Sequence, residues 1–425
     1  VIMKGGLQRR LGVGDAVTIG LGAMIGAGVF AVFGTAAGSA GSGLLIALLV
    51  AAVIAYCNAT SSARLAARYP DSGGTYVYGR ERLGEFWGYL AGWGFVVGKT
   101  ASCAAMALTA GLYLWPERAH EVAVAAVVLL TAINYVGVRK ATWATRVIVA
   151  AVLLVLLAAV IIGWTSPAAD PARLAIGGDA TAWGVLQAAG LLFFAFAGYA
   201  RVATLGEEVR EPERTIPIAV PVALGLVLLL YAIIAVTLIV VLGPDLAGSA
   251  TPVVDLVRRA GAEPMVPVVA VGAGLAALGS LLAMILGVSR TVLAMARDRH
   301  LPPPLAAIHP RFAVPHRTIV AVGVIIAGLA LFADLRSAIG FSSFAVLIYY
   351  AIANVSALTL RADVGRPPRA IPVVGLIGCL AVAAALPLPS VITGLAVLGL
   401  GMICYLVGVL LRRRAGRPPR GEETP

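Results

Sequence analysis

Twelve predominantly apolar runs fall along the chain at 14–38, 43–63, 86–113, 121–138, 145–163, 181–206, 217–241, 266–289, 317–333, 337–360, 370–388 and 390–411. Each is close to the roughly 20 residues a helix needs to cross a hydrocarbon core. No other feature constrains the fold as strongly. Inside a bilayer a segment must satisfy its own backbone N–H and C=O groups, so runs of this length have to be helices. The expected fold class is an all-α integral membrane protein with twelve transmembrane helices. A composition 60% hydrophobic and only 12% charged lies far from that of a soluble domain, and no stretch between the runs is long enough to form one.

The net charge of +12 could suggest a nucleic-acid partner, but its placement argues otherwise. With the N-terminus in the cytoplasm, 25 of the 32 Lys and Arg residues fall in inner segments, from Lys4, Arg9 and Arg10 to the 412–425 tail. Only Arg118, Arg173, Arg258, Arg259 and Arg336 fall in outer loops. This asymmetry places both termini in the cytoplasm, in a multi-pass protein of the cell (cytoplasmic) membrane, with lipid and not nucleic acid around it. Residues 4–40 also have the look of a signal peptide, but the apolar run is too long for one, and its removal would invert the charge pattern. Cys57, Cys103, Cys379 and Cys404 lie within apolar runs without metal-type spacing and are expected to be small packing residues. Neither a metal nor a cofactor is expected.

The first run contains GLGAMIGAGVF, Gly20–Phe30. Gly22 and Gly26 form a GxxxG pair suited to close helix packing, as do Gly88 with Gly92 and Gly94 with Gly98. Packing does not account for the doubling Gly26-Ala27-Gly28 before β-branched Val29, which weakens the helix at mid-span. The sixth run, FFAFAGYARVATLGEE at 193–208, is interrupted in the same way at Gly198. Two interrupted spans in corresponding positions point to a transporter site, and an offset of five spans makes them enter from opposite sides, as an inverted repeat requires. Free N–H groups after Gly28 favour an anion, and free carbonyls near Met24 and Phe196 favour a cation. A zwitterion such as an α-amino acid suits both, although the backbone by itself would also accept an anion or a cation alone.

These stretches are familiar. GAMIGAGVF resembles the first-helix signature of the amino acid-polyamine-organocation superfamily, and FFAFAGYARVATLGEEVREPERTIPIAV resembles its sixth-helix signature. SRTVLAMARDRHLPPPLAAIHPRFAVPHRTI (289–319) and YPDSGGTYVYGRERLGEFWGYLAGW (69–93) resemble its pattern after the eighth helix and before the third. The resemblance implies a LeuT-like fold, a 5+5 inverted repeat with broken helices 1 and 6. Its organisation would be a cytoplasmic N-terminus (1–13), a first repeat (14–163), a second repeat (181–360), helices 11 and 12 (370–411) and a basic tail (412–425). It also implies a permease, not an enzyme, whose substrate is a small-molecule amino acid. The carboxylate would bind amides of Gly26, Ala27 and Gly28 beside Ile25. The amino group would bind carbonyls of Met24, Phe194 and Ala197, close to Gly198. Phe194 would be the gate, with Phe196 its competitor.

Two departures matter. The fifth-helix lysine common in sodium-independent members aligns with Val152, and the acidic residue after the sixth-helix Gly-aromatic pair is Ala200, followed by Arg201. Yet Lys99 lies about thirteen residues into the third span, where a charge costs several kcal/mol unless paired or neutralised. The expectation is that Lys99 carries the displaced fixed charge and couples transport to protons; the alternative is a permanent charge bonded to helix carbonyls. Glu207, Glu208, Glu211 and Glu213 form a carboxylate cluster expected to be solvated beside Arg210 and Arg214. His120, His300, His309 and His316 map to loops and are expected to be solvated. Ser280 and Ser289 on the eighth span could supply sodium ligands, but lone serines usually bond their own helix. With no acidic residue at mid-span, a neutral substrate is expected. The remaining alternatives are a sodium-independent exchanger or exporter, and a non-transporting amino acid sensor.

Overall fold

A computed structural model describes residues 11–69, 73–137, 142–199, 209–361 and 368–414. These residues are about 85% helical and contain no strand. The helices are α1 (Val13–Ile25), α2 (Ala27–Ala40), α3 (Leu44–Arg68), α4 (Thr75–Leu83), α5 (Glu85–Leu114), α6 (Ala119–Val136), α7 (Thr142–Thr165), α8 (Ala182–Phe196), α9 (Pro212–Leu242), α10 (Pro252–Arg259), α11 (Val266–Arg297), α12 (His316–Phe332), α13 (Leu335–Leu358), α14 (Ala370–Ala385) and α15 (Leu388–Arg414). Among them nine stretches are long and apolar enough to cross a membrane, the first running through α2 and α3, and α1, α12 and α14 are shorter apolar helices.

Local chemistry sets several ends. The Thr181 hydroxyl accepts from the Gly184 amide at the start of α8, and the Asp334 carboxylate accepts from Ser337 N–H at the start of α13. Gly137 closes α6 with a left-handed residue (φ 77°). Ser42 and Asp179 tie two connecting segments together: Asp179 accepts from the Ser42 hydroxyl at 2.6 Å and from its amide at 2.9 Å.

Burial separates the helices into centre and rim. The most apolar windows of α5 and α13 are 83% buried, whereas that of α15 is 17% buried and those of α6 and α7 are 28% buried. Two groups of packed helices follow. One joins α1, α2, α3, α8 and α9; the other joins α5, α6, α11 and α12, with α13 packed along α5. Small residues permit the close approach: a side chain at Gly98 would run into Ala345, and one at Gly92 into Tyr76 and Met295. The GxxxG pairs of the third span are thus packing surfaces, as the sequence suggested. Gly22 likewise abuts Val149 and Thr145 of α7.

Cys57, Cys103 and Cys379 are buried, in line with a packing role, but Cys404 is exposed on the rim. Cys379 also takes part in a buried polar cluster with Asn58, Ser61 and Asn354, which joins α3, α13 and α14.

Candidate functional site

The first span breaks where the sequence placed the break. α1 ends at Ile25, Gly26 leaves the helical well with ψ −116°, and α2 restarts at Ala27. Among the described residues no side chain caps the first amides of α2, so these N–H groups are at a helix N-terminus that favours negative charge. Gly26 is required by contact as much as by conformation, since a Cβ there would overlap Ser280 Oγ of α11. Ser280 is held in that position because its hydroxyl donates to Gly22 O at 2.9 Å. Ser289, by contrast, bonds its own helix at Ile285 O.

The sixth span also loses its α-helical form. α8 stops at Phe196 and tightens into a 3-10 turn over Ala197–Tyr199. Gly198 lies directly on the end of α1: a Cβ there would sit 2.6 Å from the Ala23 carbonyl carbon and 2.8 Å from Met24 Cγ. The structure therefore brings together Met24, Ile25, Gly26, Ala27 and Gly28 with Phe194, Phe196, Ala197 and Gly198. Ala200, Arg201, Glu207 and Glu208 lie outside the described residues. Glu211 and Glu213 are exposed, in keeping with a solvated role.

Two of the three carbonyls expected to take an amino group, those of Met24 and Ala197, already have internal donors. The Tyr231 hydroxyl of α9 lies 2.6 Å from Met24 O and 3.1 Å from Ala195 O. Lys99 Nζ donates to Ala197 O at 3.1 Å. Each carbonyl keeps a second lone pair, so these contacts orient the breaks without exhausting them. Tyr231 was missed in the sequence, although a lone tyrosine in the aliphatic run around it is a signal, because a buried phenol needs an acceptor.

The three phenylalanines separate by direction. Phe193 packs edge-on against Tyr350 at 5.6 Å, and Phe196 packs against Tyr231 at 5.2 Å within its own group of helices. Phe196 thus contributes its position at the helix end, while its ring is committed to α9. Phe194, 7% exposed, has no ring partner among the described residues.

Lys99 is 3% exposed, and it is the one charged side chain buried among the described residues. It stands in the middle of α5 and reaches the 3-10 turn of the other helix group, so its bond spans the boundary between the two. Ser280 does the same from α11 to α1. Val152, where the family lysine aligns, is a buried aliphatic residue of α7.

A second cluster lies between α4 and the end of α11. The Tyr76 hydroxyl donates to Asp298 Oδ2 at 2.6 Å and lies 2.9 Å from His300 Nδ1, and Arg80 Nη1 reaches the same carboxylate oxygen at 2.6 Å. Burial, with the Asp298 carboxylate adding to it, pushes the Tyr76 phenol above its ordinary value, so it stays a neutral donor. This corrects the expectation that His300 is merely solvated. His120 too is engaged, with Nδ1 2.8 Å from Ala330 O, and His309 stacks on Phe312 at 4.7 Å. At the start of α1, Arg210 N donates to Leu11 O, and Arg146 pairs with Asp15.

Comparison with known sequences bears on what such breaks serve. A family profile described as amino acid permease matches residues 11–411. An uncharacterized transporter of Mycobacterium tuberculosis is 67% identical over 98% of this chain and 95% of its own length. Cationic amino acid transporter 4 of Mus musculus is 30% identical over 86% of this chain and 62% of its own, and a methylthioribose transporter of Bacillus subtilis is 27% identical over 84% and 82%. Apolar helices, paired breaks and a match over nearly the full length agree: this multi-pass membrane protein belongs to the amino acid permease family, within the amino acid-polyamine-organocation superfamily.

Proposed function

We propose that the chain is a secondary transporter that moves a neutral amino acid by alternating access and couples the movement to protons. The observation that carries this reading is the apposition of two helix breaks, α1 ending at Gly26 where α8 tightens at Ala197, with Gly198 against Met24. A carboxylate would sit on the amides of Ala27 and Gly28, beside Gly26, and an ammonium on the free lone pairs of Met24, Phe194 and Ala197 carbonyls. Phe194 is the gate in this scheme, supported by its having no ring partner among the described residues. The names of the relatives, one a cationic amino acid transporter and one a methylthioribose transporter, leave the side chain open. The absence of any buried carboxylate among the described residues favours a neutral one.

The group α1–α3, α8 and α9 would rock against α5, α6, α11 and α12. The grouping is what a twelve-helix LeuT-like arrangement calls for, with repeats at 14–163 and 181–360, helices 11 and 12 at 370–411, and both termini (1–13 and 412–425) cytoplasmic. Lys99 bridges the moving boundary, so loss or gain of its proton would weaken or strengthen, through its charge, a contact between the two groups.

Two experiments test the reading. A thermal-shift screen of the common amino acids on detergent-purified protein should find stabilisation by neutral ones, and stabilisation by none would overturn it. In vesicles with an inward proton gradient, Lys99→Ala should lose gradient-driven accumulation. Full retention would remove Lys99 from the coupling step.

A further inference from the structure

We infer that Lys99 sets the charge selectivity of the substrate site, admitting amino acids with uncharged or acidic side chains and rejecting cationic ones. The inference rests on the amino acid reading above and deepens it by assigning the discrimination to one residue.

Three observations support it. Lys99 is the one buried charge among the described residues, held near mid-span by α5. Its ammonium has three donors, and among the described residues it uses one acceptor, Ala197 O at 3.1 Å. That acceptor lies in the turn that interrupts α8, packed through Gly198 onto the end of α1. Among the described residues a cation with two further donors therefore stands at the junction of the breaks, where the polar groups of the proposed substrate would come close.

Among the described residues, the groups around it do not cancel its charge. One turn along α5 is Cys103, and the neighbouring face of α5 presents Ser102 to Ser342 of α13 at 2.5 Å. From the turn after α8 comes the Ala197 carbonyl. None is a carboxylate. The α-ammonium is common to every amino acid and cancels in a comparison among them, whereas a further positive charge on the substrate's side chain, in a setting of low dielectric, would weaken binding by about tenfold or more. A carboxylate, carboxamide or hydroxyl would instead accept from the spare donors.

The test is competition binding on the full-length protein in detergent or nanodiscs, with alanine, glutamine, aspartate, lysine and arginine as competitors. In the wild type, arginine and lysine should bind at least about tenfold more weakly than alanine or glutamine. In Lys99→Met the ratio of cationic to neutral affinity should rise by about tenfold, and Lys99→Arg should keep the wild-type ratio. A ratio separates selectivity from a general loss of binding or folding. Equal affinity for arginine and alanine in the wild type would overturn the inference while leaving the amino acid reading intact, and so would an unchanged ratio in Lys99→Met. If Lys99→Met does not fold, the wild-type ratio still decides. Silence from all five competitors would overturn both.

Discussion

Replacing Gly26 by alanine should produce a defect that a second change at Ser280 relieves. The added Cβ would overlap Ser280 Oγ and lie 2.6 Å from Ser280 Cβ, while its next neighbour, Ala276 O, is at an ordinary 3.4 Å. Ser280 cannot swing aside without giving up its 2.9 Å bond to Gly22 O. Overpacking of this kind costs about 1–3 kcal/mol, and the lost hydrogen bond about 1 kcal/mol. Gly26→Ala should therefore cost about 2–4 kcal/mol. Ser280→Gly alone loses the hydrogen bond and places a glycine inside α11, together about 2 kcal/mol. In the double variant the clash is gone, so its cost should be close to that of Ser280→Gly, a coupling of about 2–4 kcal/mol. Denaturant unfolding of the purified variants in mild detergent measures the cycle. Costs that add to within about 0.5 kcal/mol would refute the reasoning, because they would mean that Gly26 and Ser280 do not share this contact.

Tyr231→Phe should destabilise the protein by about 1–3 kcal/mol by leaving Met24 O without its donor; unfolding in the same detergent checks this, and no change would show that the bond contributes nothing. Asp179 gives a pH signature. The Ser42 hydroxyl, then its amide, hold the Asp179 carboxyl below the usual carboxylate range. Its folded-state value is thus depressed, so the stability it contributes is present above the ordinary aspartate range and is lost as the pH falls through the folded value. Asp179→Asn should lower the melting temperature at neutral pH and flatten its acid dependence, and a variant that kept the wild-type pH profile would refute the assignment.

Much of the helix layout could be read from the sequence, because hydropathy reports burial in lipid directly and runs of apolar residues have one spanning structure available. The break at Gly26 was legible for the same reason: a doubled glycine at mid-span has a cost that packing does not repay. Lys99 stood out because a buried charge is rare. Direction around the helix axis was not legible. Phe193, Phe194 and Phe196 are equivalent in hydropathy, yet one faces Tyr350, one Tyr231 and one neither. That difference depends on the rotation of α8 against α9 and α13, which a near-continuous apolar run does not encode. The same blindness hid the partners of Asn58 on α13 and α14, and it made Cys404 look like a core residue. The contact of Tyr76 and Arg80 with Asp298 joins segments more than two hundred residues apart, and no local pattern marks such a pairing.

The central claim is that two opposed helix breaks hold both charges of one zwitterion. The most direct measurement compares the affinity of the best-binding amino acid with that of its methyl ester and of the amine lacking its carboxylate. Each analogue leaves polar groups of the site without a partner, so each should bind at least about a hundredfold more weakly. An ester or amine that binds within about threefold of the parent amino acid would contradict the account.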